Sequence, residues 1–185
     1  MLKRFAHLLP LLIVVAPIAS AQKTEMGGEV QAYPTGIVTA VGAKMPLKRD
    51  GSFFTFRIGY NQAHRNDNGE RGDERGEGPG ASVGWQRMFF NAKSGLFLGA
   101  RADLWFLKID WIDLPGQPGQ TSGTTDIVIL QPMGRVGYRY PFGLKRNWSF
   151  EPALSFGIEW NVDTDGADVG EGPILLLGAT VSRRF

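Results

Sequence analysis

From Trp148 to Val162 the chain reads WSFEPALSFGIEWNV, and each even-numbered position (Trp148, Phe150, Pro152, Leu154, Phe156, Ile158, Trp160, Val162) is apolar or aromatic. The odd positions are Ser149, Glu151, Ala153, Ser155, Gly157, Glu159 and Asn161. A period of two gives a β-strand one apolar and one polar face. In a water-soluble sandwich the apolar face is buried; in a membrane barrel the assignment inverts, with apolar side chains toward lipid and polar ones inside.

The same period between turn signals predicts strands over Gly36–Met45, Ser52–Asn61, Ala81–Phe90, Leu96–Asp110, Ile127–Tyr140, Trp148–Val162 and Ile174–Phe185. A weaker candidate lies at Gly28–Tyr33, where Pro34 is tolerable only at a strand end or edge. The connections alternate in length: 46–51, 91–95 and 141–147 are short, whereas 62–80, 111–126 and 163–173 are long. Short turns at one end and long loops at the other describe an outer-membrane barrel meander. With both termini on the short-turn side, parity requires the weak first strand. The expectation is therefore an all-β fold, an eight-stranded antiparallel up-and-down transmembrane β-barrel.

Face composition points the same way. Phe54, Phe56, Ile58 and Tyr60 oppose Thr55, Arg57, Gly59 and Asn61; Leu96, Leu98, Leu104 and Phe106 oppose Arg101 and Asp103; Val128, Leu130, Val136, Tyr138 and Tyr140 oppose Gln131, Arg135 and Arg139. Charges at mid-strand would cost several kcal/mol each in a soluble core unless paired, but inside a small polar lumen they can pair with one another. Arg57, Arg101, Asp103, Arg135, Arg139, Glu151 and Glu159 are thus candidates for a salt-bridge network filling an interior barely wide enough for side chains. Trp148 and Trp160 are twelve residues apart, ~40 Å along a strand and about 30 Å vertically at a tilt near 40°. That spacing suits aromatic girdles on either side of an apolar band, to which Tyr60, Tyr138 and Tyr140 are also assigned.

The first residues bear on the compartment. Lys3 and Arg4, an apolar stretch from Leu8 to Ile18 broken by Pro10 and Pro17, and the small residues Ala19, Ser20 and Ala21 read as a signal peptide over 1–21, leaving a barrel domain over 22–185. Without that leader, which holds two of the 20 Lys+Arg and none of the 18 Asp+Glu, the two signs balance at 18 each. No basic surplus remains to argue for nucleic acid. There is no cysteine, so no disulfide, thiol nucleophile or zinc-thiolate site is available. No segment beyond the leader has 18 uncharged apolar residues, as a spanning helix would need.

These residues resemble the small outer-membrane β-barrels of the OmpA transmembrane-domain and OmpX type, over 22–185. The likeness is one of pattern, sharpest in the last strand, ILLLGATVSRRF, where Leu175, Leu177, Ala179, Val181 and Phe185 share a face. In such proteins a terminal aromatic resembling Phe185 is read by the barrel-assembly machinery. Arg183 departs from the pattern, which has an apolar or aromatic residue two before the end. The resemblance implies a monomer in the outer membrane of a Gram-negative bacterium, in contact with outer-membrane lipid and lipopolysaccharide, with a structural or surface-interaction role and no cofactor. A general porin needs roughly 16 strands, which this length excludes.

Two alternatives stay open. A secreted lipocalin-like barrel binding an apolar ligand would place the apolar face inside. A lipid A-modifying enzyme would need a Ser-His pair in hydrogen-bond reach, and His64, Ser82 and Asp67 are the available residues, although Ser82 shares the lumen-facing parity of Gly84 and Gln86. The mixed-charge stretch QAHRNDNGERGDERGEGPG reads as a solvated loop able to meet lipopolysaccharide phosphates, cations or a partner. Asp163–Asp168, DTDGAD, lacks the full spacing and terminal Glu of a calcium-binding EF-hand and reads as a turn.

Overall fold

The computed structural model describes residues 24–49, 51–66, 72–90 and 94–185. The segment read as a leader, 1–21, lies outside the described residues. Eight strands follow one another: β1 Glu25–Tyr33, β2 Gly36–Pro46, β3 Ser52–Asn66, β4 Asp73–Met88, β5 Gly95–Asp113, β6 Thr121–Phe142, β7 Trp148–Asp165 and β8 Gly172–Arg184. Each pairs antiparallel with the next, and β1 pairs with β8 to close the barrel, so that no sheet edge is left unpaired along the ring. One end, the turn end, holds the β2–β3, β4–β5 and β6–β7 junctions together with Glu25 and Phe185; the far end holds the β1–β2, β3–β4, β5–β6 and β7–β8 junctions.

The weak N-terminal candidate is a full strand, joined along Glu25–Ala32 to β8 and along Glu25–Tyr33 to β2. The three long connections are corrected most. Strand β3 continues to Asn66 and β4 begins at Asp73, so most of the stretch read as a solvated loop is a ladder with His64 opposite Arg75 and Gln62 opposite Glu77. Likewise β5 and β6 pair to Asp113 and Thr121, and β7 runs to Asp165. Glycine misled the reading of 76–80: Gly76 and Gly80 lie beneath large side chains of β5. A Cβ on Gly80 would sit 2.2 Å from the Trp105 indole, and one on Gly76 would sit 2.6 Å from Ile109. These glycines are required by close packing within a strand.

Strand length decides how the barrel meets its surroundings. About 10 tilted residues cross a hydrocarbon layer, yet β5 has 19 and β6 has 22, with the surplus at the far end. Along β5 the pattern reverses partway. Between Leu96 and Phe106 the outward residues are apolar and the inward ones include Arg101 and Asp103; beyond that, Lys108 and Asp110 face outward while Trp105, Leu107 and Ile109 are buried. Strand β6 repeats the switch, with Asp126 exposed and Ile127 and Ile129 buried. The wall is thus apolar outside over the turn-end part, where the interior is mainly charged around a small apolar cluster of Phe53, Met88, Phe97 and Ala153, and polar outside at the far end, where the interior is mainly apolar around the buried Arg65–Glu74 pair.

Candidate functional site

The interior polar side chains form three tiers. At the turn end Arg139 joins Glu25 to Glu151, with Nε 2.6 Å from Glu151; Lys44 also reaches Glu151, and Arg184 reaches Glu25 at 2.9 Å. The Arg139 guanidinium lies 5.1 Å from the Phe53 ring, within cation–π range. Three cations here face two carboxylates.

At mid-height Glu29 meets Arg57, Arg101 and Arg135 at 3.2, 3.3 and 2.8 Å, while Asp103 lies 2.7 Å from both Arg57 and Arg101. Cross-strand register builds this tier: Arg57, Ser82, Asp103 and Gln131 are successive partners across β3, β4, β5 and β6. Ser82 Oγ accepts from Arg57 Nε at 2.9 Å, and the Gln31 side-chain carbonyl accepts from Arg57 and Arg101. The space left among Glu29, Lys44, Arg57, Arg101 and Arg135 is about 40 Å³, enough for a few waters. Multiple partners matter here, because a buried ion pair stabilises only when its remaining donors and acceptors are also satisfied.

The third tier lies toward the far end. Arg65 stands between Glu74 at 3.4 Å and Glu159 at 2.9 Å, and the Gln131 amide donates to Glu159 at 2.5 Å. Gln131 also accepts from the indole N–H of Trp105 at 2.8 Å, which links the ionic tiers to the apolar packing beyond. That packing gathers Tyr33, Trp105, Leu107, Ile109, Ile127, Ile129 and Leu176. Residues 166–171 fold inward to cover it. Val169 is buried there, its carbonyl accepts from Asn161 Nδ2 at 3.0 Å, the Gly170 carbonyl accepts from Arg65, and the Gly170 N–H donates to Glu74.

All seven residues assigned to the lumen by strand parity point inward: Arg57, Arg101, Asp103, Arg135, Arg139, Glu151 and Glu159. Six further charged members were missed: Glu25, Glu29, Lys44, Arg65, Glu74 and Arg184. Glu29 and Lys44 were within reach of the same parity argument, since Glu29 alternates with Gly28 and Val30 and Lys44 shares a face with Gly42. Arg65 and Glu74 were hidden by reading 62–80 as a loop.

On the outer wall Tyr138, Tyr140 and Trp148 are exposed near the turn end, and Tyr60 and Trp160 toward the far end. Tyr138 packs on Tyr140 with centroids 4.5 Å apart, and Trp148 stacks on Phe142 at 6.2 Å. Arg183 also points outward, its guanidinium 5.7 Å from Trp148 and 5.2 Å from Phe185. The residue that departs from the terminal pattern is therefore seated on two aromatic rings.

The structure does not assemble the Ser-His pair. Ser82 is buried in the lumen beside Arg57, whereas His64 is half exposed on the outer wall, its Nε2 3.0 Å from Asp73. Arg57 and His64 lie seven residues apart along β3, ~23 Å at strand rise. Asp67 lies outside the described residues.

No protein-family model matches the sequence, nor does any curated protein sequence. Solved structures do resemble the fold. A major outer membrane protein from Thermus thermophilus aligns with a TM-score of 0.59 at 13% identity, over 90% of this chain and 100% of that one. Neisserial surface protein A aligns with a TM-score of 0.50 at 12% identity, over 90% of this chain and 98% of that one. The chain has the fold of the small eight-stranded outer-membrane barrels. At these identities the likeness concerns the fold alone.

Proposed function

We propose that this chain is an integral outer-membrane β-barrel protein of a Gram-negative bacterium, with a structural or surface-interaction role and an interior plugged by its own side chains. The observation that carries the reading is the reversal of polarity along the wall. Along β7 Phe150, Leu154 and Ile158 face outward while Glu151 and Glu159 are buried; along β5, past Phe106, the arrangement returns to that of a water-soluble barrel. Such a switch fits a wall solvated first by hydrocarbon and then by water. A secreted lipocalin-like barrel gives no reason for the outward apolar belt.

In this reading the turn end faces the periplasm and the far end faces outward. Trp148, Tyr138 and Tyr140 form one aromatic girdle, Tyr60 and Trp160 the other, and Phe185 serves as the terminal aromatic for the assembly machinery. The far-end hairpins meet lipopolysaccharide. The outer-membrane and surface origin of the two similar solved proteins agrees with this placement. The narrow interior space between the ionic tiers supports a plug over a conducting path.

Fractionation followed by external protease tests both location and orientation. The protein is expected in the outer-membrane fraction with heat-modifiable gel mobility, and cleavage of intact cells is expected within the exposed stretch 114–120. Native protein in the soluble periplasmic fraction, or cleavage of intact cells at the 143–147 turn, would overturn the reading.

A further inference from the structure

The two ends of the barrel carry opposite charge. At the far end the exposed Glu77, Asp110, Asp126, Asp163, Asp165 and Asp168 outnumber the exposed Arg75 and Lys108. At the turn end Lys48, Arg49, Lys145, Arg146 and Arg183 are exposed. Among the described residues the side-chain carboxylates there, Glu25 and Glu151, are buried against Arg139, Arg184 and Lys44. Asp50 and Lys93, in the same turns, lie outside the described residues.

These cations adjoin aromatic rings that continue the apolar belt. Arg183 lies over Trp148 and Phe185, and the Arg87 guanidinium is 5.7 Å from the Phe89 ring. At the turn-end mouth of the barrel a pocket of about 100 Å³ has Arg139, Arg146, Arg184, Ser94, Asn147 and Ser149 as polar lining, Glu25 as its one carboxylate, already paired with Arg139 and Arg184, and Trp148 as its apolar wall. That volume takes several waters or one phosphate group. Guanidinium groups suit phosphate oxygens, and an indole placed beside them suits the boundary between headgroup and acyl chain.

We propose that this rim is a docking collar for anionic phospholipids of the leaflet it enters, with a headgroup phosphate seated between Arg146 and Arg184 and the glycerol end against Trp148. The proposal rests on the membrane reading above. Charge complementarity selects a net-negative headgroup, and continuity with the lipid-facing belt selects a bilayer lipid over a soluble anion. The acidic far end is not suited to the same ligand, so the preference belongs to one end of the molecule.

The test uses the full chain in detergent micelles doped with phosphatidylglycerol or phosphatidylcholine, with retained lipid counted by native mass spectrometry. The wild type should retain phosphatidylglycerol preferentially. A Lys145→Gln/Arg146→Asn variant should lose about fivefold of that preference per cation removed. Asparagine is chosen because Arg146 has φ +48°, which asparagine tolerates, so the turn is kept. Arg183→Gln, outside the ion-pair tiers, gives an independent second variant. Equal retention of the two lipids, an unchanged preference in both variants, or complete displacement by millimolar inorganic phosphate would overturn the collar. A heat-modifiable barrel in phosphatidylcholine vesicles without lipid preference would sink the collar alone; protein that stays native in buffer and enters no vesicle would sink the membrane reading with it.

Discussion

Leu154→Arg separates a lipid-facing wall from a water-facing one. Leu154 points outward between Val136 on β6 and Leu177 on β8, both also exposed. It lies six residues from Trp148 and six from Trp160, ~20 Å along the strand in each direction and about 15 Å vertically. An arginine there is too short to snorkel to either aromatic level. At the bilayer midplane such a substitution on the lipid face costs about 2–4 kcal/mol, a loss of roughly 30- to 900-fold in the folding equilibrium. On a water-facing wall the same change stays within about 0.5 kcal/mol. Val162→Arg, on the same face near the far end of the belt, is the internal control and should cost only about 0–1 kcal/mol in a bilayer. The assay is urea unfolding of vesicle-inserted protein, followed by tryptophan fluorescence and checked by heat-modifiable mobility. A Leu154→Arg protein as stable as the wild type, or one released into buffer without loss of fold, would refute the depth assignment and the polarity argument beneath it.

Three further outcomes concern single side chains of the interior and of the outer wall. Glu29→Ala leaves Arg57 and Arg101 paired with Asp103 but takes from Arg135 its Glu29 partner, and should cost about 3–5 kcal/mol in urea titrations; a loss below about 1 kcal/mol would mean that water screens the tier. Trp105→Ala removes the largest fully buried side chain of the far-end packing and should cost about 3–5 kcal/mol, with faster amide exchange concentrated in Leu107–Ile109 and Ile127–Ile129; uniform acceleration around the barrel would count against a separate apolar core. His64→Ala and Ser82→Ala, made separately, should leave host lipid A acylation unchanged by mass spectrometry, and any change in chain number would reopen the enzyme reading.

Much of the barrel is legible because a strand's two faces alternate strictly, so that apolar and polar positions separate along the sequence. Phe150, Leu154 and Ile158 against Glu151 and Glu159 gave the two faces, the mid-strand charges and loop asymmetry pointed to the inversion, and loop parity required the first strand before its hydrophobicity could argue for it. Two things lay beyond reach. Glycine in a strand is ambiguous by itself: Gly76 and Gly80 look like turn residues until Ile109 and Trp105 are seen lying over them from β5. The partners of each charge were equally hidden, because pairing runs across the lumen between strands distant in sequence. Arg139 and Glu25 are separated by 114 positions, and Arg65 meets Glu159 across 94.

The reversal of polarity was present in the sequence but masked by an assumption of one solvent per strand. In DLWFLKIDW the interior face passes from Asp103 to Trp105, Leu107 and Ile109, while the outer face passes from Leu104 and Phe106 to Lys108 and Asp110. A barrel within hydrocarbon gains little from burying apolar side chains centrally, since lipid already solvates them; cohesion there falls to backbone ladders and paired charges. Once the strands leave the hydrocarbon, water restores the hydrophobic drive, and an apolar interior becomes the stable arrangement. Register stays continuous through the changeover: on β5 and β6, Asp103 faces Gln131, Trp105 faces Ile129 and Leu107 faces Ile127. The Trp105–Gln131 hydrogen bond spans the boundary, tying the first apolar layer to the last ionic one. In the membrane reading proposed above, a single pair of strands thus serves two solvents in succession, and the residue pair at which polarity changes marks the boundary between them.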